Sequence, residues 1–191
     1  MLALLMDGAC AGTNDQLTAA QRAKLSAGRV LVYVSSDGSH GGGSVRAMID
    51  VPVASEDLWR FMQNCRSARR YVSGLVRCRV LERAKNGRWD VREFRLRSWW
   101  FLPEIQSVVR SEYVGFRLIR FERAGGNLAG LSGSWTFRPI DRGTRTRLIY
   151  QATVATGFVL PGVIVRSMLI TDVSVTLKAL RKEATRALVA K

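Results

Sequence analysis

His40, the chain's single histidine, lies in the run Ser39-His40-Gly41-Gly42-Gly43, where nothing holds an imidazole at hydrogen-bond distance from a substrate. The three cysteines, Cys10, Cys65 and Cys78, contain no C-x-x-C, and one histidine cannot complete a tetrahedral zinc site. Neither a G-x-S-x-G nucleophile elbow nor a glycine-rich phosphate loop occurs. The sequence therefore assigns no catalytic residue, metal or cofactor. Cys65 and Cys78 could pair in an exported protein, but buried free thiols are the favoured reading.

The polar side chains that could meet a ligand lie in segments of alternating pattern. Glu93, Arg95, Gln106 and Gln151 could point into an interior, where a charge needs a partner. A one-residue slip around 92–97 reverses each of these assignments. In the segments 131–140 and 144–156 the inward set is Leu131, Trp135 and Phe137, then Leu148, Tyr150, Ala152 and Val154. Trp135, Phe137, Tyr150, Ala152 and Val154 are read as ligand-lining candidates, with plain core as the alternative. The Tyr150 hydroxyl needs a partner if buried and could fix a polar headgroup.

Trp99-Trp100-Phe101-Leu102-Pro103 puts four large apolar residues beside a turn, and they cannot all face one core. Trp99 is read as ligand-lining, and Trp100, Phe101 and Leu102 as a pocket rim or membrane-touching tip near Arg95 and Arg97. The competing reading tucks this hairpin end against Phe158-Val159-Leu160.

The elements that must position these residues follow from periodicity. Residues 17–27 read as a short helix with Thr18 as N-cap, 30–34 as a strand and 35–43 as a flexible loop. Val45, Ala47, Ile49 and Val51 are apolar while the even positions carry Arg46 and Asp50, giving a strand with one wet face that Pro52 ends. Ser55 is read as the cap of a helix whose buried stripe is Leu58, Phe61 and Met62, with a second short helix over 67–72. After Gly74 the pattern has period two for roughly eighty residues. Asn86-Gly87 marks a two-residue hairpin with positive φ at both positions. Further strands are expected over 88–99, 104–113, 116–123, 131–140 and 144–156. Val165, Leu169, Val173, Thr176, Leu180 and Ala184 then recur at helical spacing over 163–190, and Leu169 and Val173 join the ligand-lining candidates.

This order predicts an α+β fold, a curved antiparallel sheet of about seven strands wrapped around a long C-terminal helix, with two short helices after the first strand. Only that helix can cover the sheet's apolar face. The concavity is expected to hold a cavity, with a filled core as the alternative. The organisation is 1–12 as a signal-peptide remnant, 13–43 as an N-terminal helix, strand and loop, and 44–191 as the main domain.

The chain has 191 residues and is 47% hydrophobic, enough for one cored domain. Its 30 Lys and Arg against 15 Asp and Glu give +15, a charge that suits anionic lipid headgroups, although a solvated arginine-rich surface explains it equally. No nucleic-acid motif occurs, and nucleic acid is not expected as a partner. The apolar start and Ala9-Cys10-Ala11 favour export to the periplasm, with the cytoplasm as the alternative.

From Ser44 onward the chain resembles the START-like, or SRPBCC, superfamily, particularly its polyketide cyclase/dehydrase-like and coenzyme Q-binding-like members. The matching stretches are VPVASEDLWRFMQN, ARRYVSGLVRCRVLER, GSWTFRPIDRGTRTRLIYQATV and LPGVIVRSMLITDVSVTLKALRKEA. Val72-Ser73-Gly74 departs from the proline that similar proteins often place before the glycine. The resemblance implies a helix-grip fold and a hydrophobic cavity for a lipid, sterol, quinone or polyketide-like molecule. A non-catalytic binder or carrier is the leading expectation. The alternative is a polyketide cyclase/aromatase-type enzyme using the same cavity, with Tyr150, Glu93 or Arg95 handling protons.

Overall fold

The computed structural model describes residues 17–36, 41–97, 103–157 and 160–188. Among them, eight strands form one curved antiparallel sheet in the order β1-β2-β8-β7-β6-β5-β4-β3. The strands are β1 (Leu31–Ser36), β2 (Gly42–Val51), β3 (Leu75–Arg83), β4 (Trp89–Leu96), β5 (Ile105–Val114), β6 (Leu118–Gly126), β7 (Gly130–Ile140) and β8 (Arg145–Ala155). Strands β3 to β8 form a meander, and β2 pairs with β8, so the first long strand lies beside the last. This is the helix-grip arrangement. The sheet has one strand more than expected because β1 pairs with β2 instead of standing apart.

Helix α1 (Ala19–Ser26) opens with a capping box, in which Thr18 Oγ1 accepts from Gln21 N and Gln21 Oε1 accepts from Thr18 N. Its Leu25 meets Leu31, Met48 and Ile149 on the outer face of the sheet. The outer face of β2 is therefore partly dry, unlike the wet face its alternation predicts.

Helix α2 (Ser55–Met62) is capped by Ala54, not by Ser55. Ser55 is the first helical residue, and its hydroxyl lies 3.0 Å from Thr146 Oγ1 in a buried contact. Helix α3 (Cys65–Tyr71) follows, and a disulfide joins Cys65 to Cys78 on β3, with Cα atoms 5.4 Å apart. The expectation of free thiols is thus corrected. The hairpin after β3 also differs from its prediction. Only Gly87 has positive φ, and Asn86 instead uses its side-chain oxygen to accept from Arg88 N.

Helix α4 (Gly162–Leu188) lies across the inner face of the sheet and divides into two functional halves. Its second half buries Leu177, Leu180 and Ala184 against Ala47, Ile49, Val51, Leu148 and the α2 residues Leu58, Phe61 and Met62. That cluster is a close-packed core. Below the first half of α4 the packing stops.

Candidate functional site

The space under the first half of α4 is a cavity of ≈ 380 Å³, within the range of small-molecule sites. Val165, Met168, Leu169 and Val173 form its roof. Phe94 and Leu96 of β4, Ile105 and Val109 of β5, and Ile119 and Phe121 of β6 form one wall. Leu131 and Trp135 of β7 with Tyr150 and Val154 of β8 form another, and Ala68, Tyr71 and Val72 close the α3 side. Strand alternation explains the set, since each wall strand contributes residues of one parity. Trp135 and Tyr150 are register partners with ring centroids 4.2 Å apart, and Phe121 stacks on Tyr150 with centroids 6.1 Å apart. Gly133 makes room for Phe121, because a Cβ there would lie 2.6 Å from the ring and 2.2 Å from the Gln151 carbonyl oxygen.

One strip of this apolar lining is polar. Arg92 of β4 is buried, and its Nε and Nη2 donate to both carboxylate oxygens of Asp90 at 2.6–3.0 Å. Nη2 also donates to Tyr113 Oη at 3.1 Å. Burial opposes the Arg92 charge, but the Asp90 hydrogen bonds and the surrounding charges outweigh it and raise its pKa. Arg83, half exposed, approaches Asp90 from the solvent side at 3.5 Å. Tyr71 donates to Met62 O at 3.3 Å, and Ser107 and Ser111 line the strip on β5. Burial pushes the pKa of Tyr71, Tyr113 and Tyr150 upward, Tyr150 to about 12, so all three stay neutral at physiological pH.

Of the residues singled out from sequence, Trp135, Tyr150, Val154, Leu169 and Val173 border this cavity. Phe137 does not. It lies farther along β7, only 2% exposed, inside the closed core with Leu58 and Leu148. Ala152 is buried between its strand partners Val45 and Gly133, and its methyl group does not reach the space. Trp99, Trp100, Phe101 and Leu102, like His40, fall outside the described residues.

Glu93 and Arg95 are corrected. Arg92, Phe94 and Leu96 hold the inward positions of β4, which turns Glu93 and Arg95 to the outer face. There Glu93 is buried among arginines. It accepts from Gln106 at 2.8 Å and from Arg95 at 3.3 Å, and Arg79 lies at 3.7 Å. Burial acts to raise its pKa, but the bonds from Gln106 and Arg95 dominate and lower it. Gln106 faces outward with it, and Gln151 is likewise outward and exposed.

Sequence reasoning missed Arg92, Ser107 and Tyr113 because it took the opposite parity of β4 and β5 as inward, through Glu93, Arg95 and Gln106. The available signal was Asp90-x-Arg92, opposite charges two apart and hence on one strand face, continuous with Phe94 and Leu96. Among the described residues no cluster of His, Cys, Asp and Glu could hold a metal.

Comparison with known proteins agrees with this architecture. A search of curated proteins finds no significant match. A STAR-related lipid transfer protein of Xanthomonas axonopodis superposes with a TM-score of 0.69 at 16% identity, over 81% of this chain and 93% of that one. The Zhui aromatase/cyclase of Streptomyces sp. R1128 gives 0.62 at 18% identity, over 78% and 98%. The lipid transfer and protein localization domain of human StarD13 gives 0.65 at 11% identity, over 86% and 93%. These likenesses establish the fold. Residues 51–181, which span α2 to most of α4, match the sequence pattern described as polyketide cyclase / dehydrase and lipid transport, and the chain belongs to that family.

Proposed function

We propose that this protein binds and carries a hydrophobic small molecule, of lipid, sterol, quinone or polyketide-like character, between its sheet and α4. The supporting observation is the ≈ 380 Å³ cavity with its aliphatic and aromatic lining, beside a core that is otherwise closely packed. A void of this size forfeits packing that the protein's own side chains would supply, so its retention is accounted for by a guest. Protein purified gently, then extracted with organic solvent, should release an apolar compound detectable by mass spectrometry. Recovery of none, together with no lipid uptake from vesicles, contradicts the proposal.

The cyclase alternative has weaker support. Glu93 and Arg95, its proposed proton handlers, face away from the cavity, and Arg92 within it is held by Asp90. Turnover of polyketide intermediates that falls in the Tyr150→Phe variant would restore it.

We also propose an anionic membrane surface as the place of loading and export as the protein's destination. The start of α4 exposes Val163, at 81%, with Ile164 and Ile170, next to the cavity roof. The chain's +15 charge suits anionic headgroups. Among the described residues no helix is long and apolar enough to cross a membrane. The Cys65–Cys78 bond supports an oxidising compartment. Cosedimentation with vesicles containing anionic lipid tests the first point, and cell fractionation tests the second.

A further inference from the structure

We propose that the cavity selects ligands bearing a neutral hydroxyl or carbonyl oxygen, which Ser107 holds, and rejects carboxylates of equal chain length. The inference rests on the reading of the cavity as a hydrophobic ligand site and specifies which end group that site accepts.

Two independent observations carry it. The first is an unused polar group. Ser107 is 4% exposed, borders the cavity, and its Oγ has no hydrogen-bond partner among the described residues. Buried hydroxyls are almost always satisfied, so one left open inside a ligand cavity is matched by the ligand. A hydroxyl can donate to a carbonyl or exchange with another hydroxyl. It suits either neutral oxygen.

The second is charge balance. Register pairs Arg92 with Val109, which makes Ser107 and Ser111 its diagonal neighbours on the cavity face, roughly 7–8 Å away. Among the described residues Arg92 carries the one guanidinium that lines the cavity, and it would attract a carboxylate if it were uncompensated. It is not, because Asp90 takes a forked bond from Nε and Nη2. Asp172 on α4 places a carboxylate in the lining itself. Among the described residues, an ionised headgroup would therefore lose its water without gaining a free cation from the lining to replace it. A neutral oxygen pays no such penalty.

The test measures displacement of the uncharged dye Nile red from delipidated protein by dodecane, dodecanol, 2-dodecanone and dodecanoate, at pH ~8, where the acid is ionised. Dodecanol and the ketone should bind roughly tenfold or more tightly than dodecanoate, and more tightly than dodecane. Ser107→Ala should bring dodecanol down to the affinity of dodecane while leaving dodecane unchanged. Asp90→Asn, by uncovering the Arg92 charge, should raise dodecanoate affinity. The wild-type ranking and the Ser107→Ala result stand even where Asp90→Asn does not fold. Dodecanoate binding as tightly as dodecanol, or a Ser107→Ala protein with unchanged selectivity, overturns the headgroup inference and leaves the cavity reading intact. Failure of all four compounds to bind overturns both.

Discussion

Trp135 and Tyr150 stand directly opposite one another on β7 and β8, with ring centroids 4.2 Å apart at an interplanar angle of 32°. Cross-strand aromatic pairs stiffen a sheet, and this one does so on the surface that borders the cavity. The wall is therefore held in shape by contacts within itself.

Gly133 is the small residue that this aromatic wall requires. A Cβ at this position meets both the Phe121 ring and the Gln151 carbonyl. Gly133→Ala should lower stability by about 1–3 kcal/mol through overpacking and weaken ligand uptake as Phe121 shifts into the cavity. Denaturant unfolding and dye binding measure the two effects separately.

The Cys65–Cys78 bond closes a loop of sequence separation 13 and fastens α3 to β3. Reduction, or Cys65→Ser with Cys78→Ser, should lower stability by about 2–3 kcal/mol. Thiol titration of the unfolded oxidised protein should find Cys10 alone reactive. Two further reactive thiols would show that the bond does not form.

Glu93 gives a prediction opposite to its sequence-based assignment. Because it anchors arginines on the outer face, Glu93→Gln should reduce stability near neutrality and leave ligand affinity unchanged. Its pKa is lowered by Gln106 and Arg95 against the opposing effect of burial. The stability it contributes is thus complete above the unfolded carboxyl pKa and is lost as pH falls through the lower folded value. Acid unfolding curves should converge for wild type and variant at low pH.

Tyr71, Tyr113 and Tyr150 predict the alkaline limit. Burial raises all three, Tyr150 to about 12. Their folded forms keep a proton that the unfolded chain releases near pH ~10. Their contribution is complete below that pH and declines as pH rises through the folded values. Tyr150→Phe should flatten the alkaline part of the curve, as read from denaturation midpoints between neutral and alkaline buffers.

Much of this was legible in the chain because simple periodicity governs it. The alternation of Leu148, Tyr150, Ala152 and Val154, and the helical spacing of Val165, Leu169 and Val173, place these residues on the faces they occupy in the fold. Where the cavity ends and the core begins was not legible. Phe137 and Trp135 share a face two residues apart, yet one is core and the other wall. That boundary depends on how far α2 and the second half of α4 reach across the sheet, which is a property of packing and not of pattern. In β4, opposite charges on both faces hid the parity, and the inward pair Asp90 and Arg92 resembles solvent-facing residues until its burial is known. The N-terminal strand joined the sheet because Tyr33 and Val34 find partners in Arg46 and Val45, a long-range pairing that local propensity cannot reveal.

The most direct test fills the space. Val173→Trp places an indole under α4, where Val173 is half-buried at the cavity roof. The account predicts that this protein remains folded by circular dichroism, while binding of Nile red and of dodecanol falls at least roughly tenfold. Undiminished binding by the folded variant would mean that the guest sits elsewhere, and would contradict the claim that the sheet and α4 enclose the ligand.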